Sequence, residues 1–162
     1  MTHVMKISAE DGHSFDAAVA GDPASARGGV VVVQEIFGLN AHIRSLPARF
    51  ADAGYYAVAP ALFDRAEPGV ELGYDPAGRE RGMALKNAVD ADSLFDVSAA
   101  ITSAAVAGPV TVVGFCWGGS LAWRAATCLN GLAGTVSYYG GEWPSKAGLA
   151  AHCPMLAHAG AP

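Results

Sequence analysis

The chain has 162 residues, 52% hydrophobic and 15% charged, with a formal net charge of −5. This length suits a single domain, and the acidic balance, with no basic run longer than two residues, argues against a nucleic-acid surface. Three cysteines without Cys-x-x-Cys spacing exclude a disulfide framework and a zinc site, and fit a reducing cytosol.

Met1 to Asp11 includes Lys6, Glu10 and Asp11 and lacks an apolar signal core. Met5–Ala9 and Ser14–Ala20 read as two short strands joined at Asp11-Gly12, a hairpin signal. Gly21 to Gly29 is a turn-rich connector, and the β-branched run Val30–Gln34 predicts a buried strand. Asn40 caps a helix through Asp52, with Ile43, Leu46, Phe50 and Ala53 near helical spacing, Pro47 in its first turns and Gly54 at its end. Tyr55–Pro60 is the next strand. Leu62 to Arg79 reads as irregular, punctuated by Pro68-Gly69, Gly73 and Asp75-Pro76, and a loop of that length is usually functional or mobile. Arg81–Asn87 predicts a short helix. Asp90–Val106 predicts an amphipathic helix with Leu94, Val97, Ile101 and Ala105 on one face.

Val97 to Trp123 carries no charge. Gly108-Pro109 and the glycines after Val113 break it, so it reads as a helix, a turn and a buried strand rather than a membrane span. A strand at 110–113, a helix over Ser120–Leu129, and strands at Gly134–Tyr138 and Pro154–His158 complete the pattern. Alternating strands and helices imply an α/β domain with a mostly parallel sheet covered on both faces and an antiparallel edge from the first hairpin. The apolar composition fits such a sheet, or equally a part of a larger domain.

Gly114-Phe115-Cys116-Trp117-Gly118-Gly119 reads as a nucleophile elbow with cysteine in place of serine. A strand, a sharp turn and a helix start would expose the sulfur above the sheet, and the helix would aim N–H groups and a positive dipole end at it. Glu35 follows four valines and Gln34 at a strand end, where ligands of open α/β sheets sit. A carboxylate there is costly unless paired. Arg81, and less so Arg79, are candidate carboxylate clamps because guanidinium matches carboxylate geometry. Cys128 and Cys153 read as core residues. Trp117, Trp123 and Trp143 read as core or pocket wall. His158 reads as a strand-end residue rather than a base, and no histidine spacing suggests a metal site.

These residues resemble the dienelactone hydrolase (carboxymethylenebutenolidase) family, a cysteine branch of the α/β-hydrolase fold. The shared landmarks are Gln34-Glu35-Ile36-Phe37-Gly38, Gly54-Tyr55, Ala59-Pro60, Arg79-x-Arg81, the elbow itself, and Tyr138-Tyr139-Gly140. The resemblance implies one α/β-hydrolase domain over 1–162, corresponding to the first two-thirds of the family domain and incomplete at the C-terminus. It implies that Cys116 attacks a lactone or ester carbonyl, and that Ile36 and Trp117 donate N–H groups to the oxyanion. Glu35 would help switch the thiol to thiolate, and Arg81 would bind the substrate carboxylate. In the family a Gly-x-x-Asp pattern supplies the acid after a strand like 154–158. Here Gly160-Ala161-Pro162 fills its first three places, so the family's Asp and His are absent from this chain. Leu85 stands where some relatives have a tyrosine. The implied partner is a small lactone or ester, with no cofactor, nucleic acid or membrane, in a cytoplasmic monomer or weak homodimer. Two other readings stay open. One is an inactive fragment or pseudoenzyme that only binds small acids. The other is a cysteine–glutamate protein that is redox-active or reacts with aldehydes.

Overall fold

Four consecutive valines have one good solution, a strand buried on both faces, and Val30–Val33 adopt it as part of β3 (Gly29–Val33). The structure, a computed structural model, describes residues 2–142 and 148–160. Around β3 are β1 (His3–Ser8), β2 (Ser14–Ala20), β4 (Tyr56–Pro60), β5 (Val110–Phe115), β6 (Gly134–Tyr138) and β7 (Met155–His158). They form one sheet in the order β1-β2-β4-β3-β5-β6-β7. The β1–β2 hairpin joins β4 antiparallel, and every pairing from β4 to β7 is parallel. The register sets Val31 between Val58 and Val112.

Helices cover the two faces. Ile43 and Leu46 of α1 (Ala41–Asp52) pack with Val30, Val32, Ala57 and Ala59 on one side. On the other, Val97, Ala100 and Ala104 of α3 (Ser93–Ala104) and Leu121, Ala122 and Ala125 of α4 (Trp117–Cys128) pack with Val31, Val33, Val58 and Val112. The fold is the α/β-hydrolase type, mostly parallel with an N-terminal antiparallel hairpin. Among the described residues, no helix is long and apolar enough to cross a membrane.

The segment between β4 and β5 departs most from the sequence reading. Leu62–Arg65 form a 3-10 turn, and α2 spans Pro76–Val89, well beyond the expected Arg81–Asn87. Asp75-Pro76 is a helix start rather than loop punctuation. The Asp75 carboxylate accepts from Gly78 N–H at 2.7 Å, and Pro76 takes the first helical position, where its missing N–H costs nothing. Asp90 closes α2, its N–H reaching the Lys86 carbonyl at 2.8 Å, so the expected helix from Asp90 begins only at Ser93. The buried face of α3 is Ser93, Asp96, Val97, Ala100 and Ala104, turned from the expected Leu94–Ile101 stripe because Asp96 is drawn inside by Arg65 and His13. Helix α4 begins at Trp117, directly after the turn, rather than at Ser120.

Candidate active site

Strand β5 delivers Cys116 to the carboxyl edge of the sheet, and α4 starts at the next residue. Cys116 has φ 55° and ψ −117°, a backbone conformation that costs an L-residue ~1–3 kcal/mol unless its surroundings fix it. They do. Cys116 N–H donates to the Tyr138 carbonyl of β6 at 2.9 Å, and Ser120 N–H reaches the Cys116 carbonyl at 3.2 Å. A Cβ on Gly114 would lie 1.9 Å from the Gly118 carbonyl oxygen. A Cβ on Gly118 would lie 2.3 Å from that of Val33 and 2.5 Å from that of Gln34. The turn is so tight that only glycine fits on either side of the cysteine.

Burial pushes the Cys116 thiol above its usual pKa. The Trp117 N–H, donating to the sulfur, pulls it back, the Glu35 charge pushes it up again, and the Ile36 N–H and Lys86 ammonium oppose that. Two backbone donors, one from the elbow and one from the loop after β3, thus converge on the sulfur.

Glu35 is only 9% exposed. Tyr74 donates its hydroxyl to one carboxylate oxygen at 2.6 Å, and Tyr139 to the other at 3.2 Å. Burial raises the pKa of both phenols, and the Glu35 charge raises them further. Asn40 Nδ2 donates to the Tyr74 hydroxyl at 3.3 Å while its Oδ1 caps α1 at Ile43. Gln34, fully buried, accepts from Leu62 N–H at 3.1 Å and so ties the Glu35 strand end to the turn after β4. Tyr139 itself sits at φ 44°.

The first residue of α4 is anchored from outside the turn. The Trp117 indole Nε1 donates to Asp90 at 2.6 Å, and Arg124 donates to the other Asp90 oxygen at 2.7 Å and to Glu142.

A cavity of about 820 Å³ opens over the sulfur. Cys116, Ile36, Trp117 and Tyr139 form its floor side, and Tyr74, Arg79, Met83 and Lys86 line it from α2 and the preceding loop. The structure therefore brings Cys116, Glu35, Ile36 and Trp117 together. Arg81 faces elsewhere: its guanidinium pairs with Glu67, and both side chains are about half exposed, 52% and 53%. Arg79 holds the wall position instead. Among the described residues, no histidine lines the cavity. The His158 ring stacks on Tyr138 at 4.5 Å, His13 pairs with Asp96 at 3.0 Å, and His152 Nδ1 contacts the Leu129 carbonyl at 3.1 Å. No group of three His, Cys, Asp or Glu side chains among those residues is placed to share a metal ion. All three cysteines are free, with Cys128 exposed and Cys153 partly buried rather than fully in the core. Trp143, expected in core or pocket wall, and the Ala161-Pro162 end of the acid-loop pattern lie outside the described residues.

Sequence reasoning missed Tyr74, Tyr139, Lys86 and Asp90. Tyr139 had a local signal, its place at the end of a parallel strand beside the elbow strand. Tyr74 had none, since its loop reaches Glu35 only through the fold.

A cysteine at a strained strand-to-helix turn, with two N–H donors and a cavity at the carboxyl edge of a mostly parallel sheet, defines an elbow-bearing α/β-hydrolase. The comparisons narrow this. Residues 15–162 match the model of the dienelactone hydrolase family, and the chain belongs to that family. A carboxymethylenebutenolidase of Pseudomonas putida is 40% identical over 147 residues, covering 86% of this chain and 61% of the relative. A Synechocystis relative is 40% identical over 132 residues, covering 78% of this chain and 53% of its own. A solved structure titled a dienelactone hydrolase-like promiscuous phosphotriesterase from metagenomic libraries superposes with TM-score 0.74 at 25% identity, covering 99% of this chain and 69% of that one. The chain thus spans between 53% and 61% of the first two of these relatives.

Proposed function

We propose that the chain carries the acyl-accepting half of a lactone or ester hydrolase, with Cys116 as nucleophile. The observation that supports this most is the placement of Cys116, held at φ 55° between β5 and α4 and lining the cavity with Ile36 and Trp117. The Pseudomonas putida relative, a carboxymethylenebutenolidase, supports a carboxylate-bearing enol-lactone as the substrate type.

Burial raises the pKa of the Cys116 thiol, which keeps it protonated and protects it until a substrate arrives. The chemistry then runs in order. The S–H proton passes to Glu35, the sulfur adds to the carbonyl carbon, and the Ile36 and Trp117 N–H groups take the charge on oxygen. Collapse breaks the carbon–oxygen bond, the departing oxygen takes back the proton held on Glu35, and an acyl thioester remains on Cys116. Hydrolysis of that thioester needs a group that activates water. With no histidine on the cavity wall among the described residues, acylation of this chain should outrun its deacylation.

A chromogenic phenyl ester tests this. Release of about one phenol per chain in a fast phase, followed by much slower turnover, is the burst expected of acyl-enzyme accumulation. Cys116→Ala should abolish the fast phase, and its persistence in that variant would contradict the assignment. The placement of Glu35 and Cys116 also suits a redox or aldehyde-reactive pair, in which case peroxide would oxidise Cys116 well before Cys128 and Cys153.

A further inference from the structure

Trp117 is the first residue of α4, so its backbone N–H has no partner within the helix. The carbonyl of the same peptide unit, that of Cys116, is held by one long bond from Ser120 N–H at 3.2 Å. A second restraint comes through the Trp117 side chain. The indole is only 3% exposed and lies on the Phe63 ring, with centroids 5.5 Å apart and planes 18° apart. Its single polar atom, Nε1, can only donate, and it donates to Asp90 at 2.6 Å.

Asp90 is itself fixed. It closes α2, and Arg124, about two turns after Trp117 on α4, donates to its other carboxylate oxygen at 2.7 Å and to its backbone carbonyl at 3.2 Å. Arg124 Nε in turn reaches Glu142 at 2.9 Å. Trp117 and Arg124 thus share one face of α4 and one carboxylate, which ties the helix against rotation about its own axis. Asp90 stands outside the cavity and touches no reacting atom. Without its carboxylate the buried indole N–H would lack a partner, at a cost of about 1–3 kcal/mol. The indole would then shift toward water and draw the first peptide of α4 with it.

We propose that Asp90 is a positioning residue for acyl transfer: through the Trp117 indole it holds the Trp117 backbone N–H where negative charge builds on the substrate's carbonyl oxygen. This rests on the nucleophile reading of Cys116. A displaced donor stabilises that charge less, and the loss falls on the transition state rather than on substrate binding.

The test compares two reactions of the same sulfur on the full chain. Acylation by the chromogenic phenyl ester builds charge on oxygen. Alkylation of Cys116 by iodoacetamide displaces iodide from carbon and builds none. Both need the thiolate, so the ratio of their rates cancels any change in thiol pKa. Asp90→Ala should lower the acylation-to-alkylation ratio about ten-fold, less than the ~100-fold that losing such a donor outright costs. The fall should lie in the limiting rate of the fast phase, with the half-saturating ester concentration unchanged. Trp117→Phe keeps the ring and the backbone N–H but not the indole donor. It should fall by a similar factor, and the double variant should fall no further than either single one. An unchanged ratio in either variant, as when both reactions slow alike, or losses that multiply in the double variant, would overturn the proposal. Should Asp90→Ala not fold, Trp117→Phe, which leaves the Asp90–Arg124 pair in place, carries the same expectation.

Phenyl trifluoromethyl ketone separates this proposal from the hydrolase reading. The sulfur adds to its carbonyl carbon, the carbonyl electron pair moves to oxygen, the thiol proton passes to Glu35, and no group leaves. Fluorine NMR reads the adduct. A parent chain without a phenol burst, whose ketone adduct either substitution weakens about ten-fold, would refute the hydrolase reading alone. An adduct equally stable in parent and variants would refute the role of Asp90, and neither burst nor adduct in the parent would refute both.

Discussion

The charge on Glu35 bears on the state of the Cys116 thiol. The carboxylate sits nearly out of water with two phenol donors on it, and its charge adds to the burial that keeps the thiol protonated. Glu35→Gln keeps the shape and removes the charge. One of the two tyrosine hydroxyls then turns to accept from the new amide, as a hydroxyl rotor can. Removing a negative charge that raises the thiol pKa lowers it. The pH profile of iodoacetamide alkylation at Cys116 should therefore move to lower pH in Glu35→Gln. A profile that stays in place, or moves up, would show that the carboxylate does not govern the sulfur. Much of this pair was legible in the sequence. A glycine-framed cysteine after a valine strand and a carboxylate at the end of another need only the parallel-sheet rule to bring them to one edge. The tyrosines that hold Glu35 were not legible, since Tyr74 is 39 residues and Tyr139 is 104 residues away along the chain.

At the level of elements, the elbow works because helix α4 starts pressed closely against the ends of strands β3 and β6. Gly118 rests on the Val33 and Gln34 carbonyls, Gly119 lies against the Tyr138 carbonyl, and Ser137 donates to the Gly119 carbonyl at 2.9 Å. Gly118→Ala should cost at least ~2 kcal/mol of stability, since backbone rather than a flexible side chain must yield. Thermal or denaturant unfolding measures this, and a variant as stable as the parent would refute the close approach. The strands were readable from their β-branched runs, and α1 from its Asn40 cap. Helix α2 was not, for a specific reason: Gly78 and Gly82 lower its helix propensity and mimic loop composition. Yet they are there because α2 lies against the Gly73 and Ile36 carbonyls. The same tight contact that hid the helix from sequence reading carries Arg79, Met83 and Lys86 to the cavity. Arg81, the arginine singled out on resemblance, points to Glu67 because it lies off the 79–83–86 face.

Across the whole molecule, two charge clusters tie distant parts of the chain around the sheet. Asp96, fully buried on α3, accepts from Arg65 at 2.6 Å and pairs with His13 of the hairpin turn, while Arg65 also reaches Asp11 at 2.6 Å. Asp90, Arg124 and Glu142 link the end of α2, the middle of α4 and the segment after β6, with the Trp117 indole bonded to the same Asp90. The first cluster fixes the antiparallel edge to the core. The second fixes the helix that carries the elbow to the helix that carries the cavity wall. The second cluster thus holds in place the helix that begins beside Cys116, the proposed nucleophile. The most direct measurement is the site of acylation when the full chain is treated with an activated ester and digested for peptide mass analysis. The acyl group should be found on Cys116, with Cys128 and Cys153 free, although Cys128 is the most exposed of the three. Acylation that follows exposure, with Cys128 modified first or all three modified alike, would contradict the account.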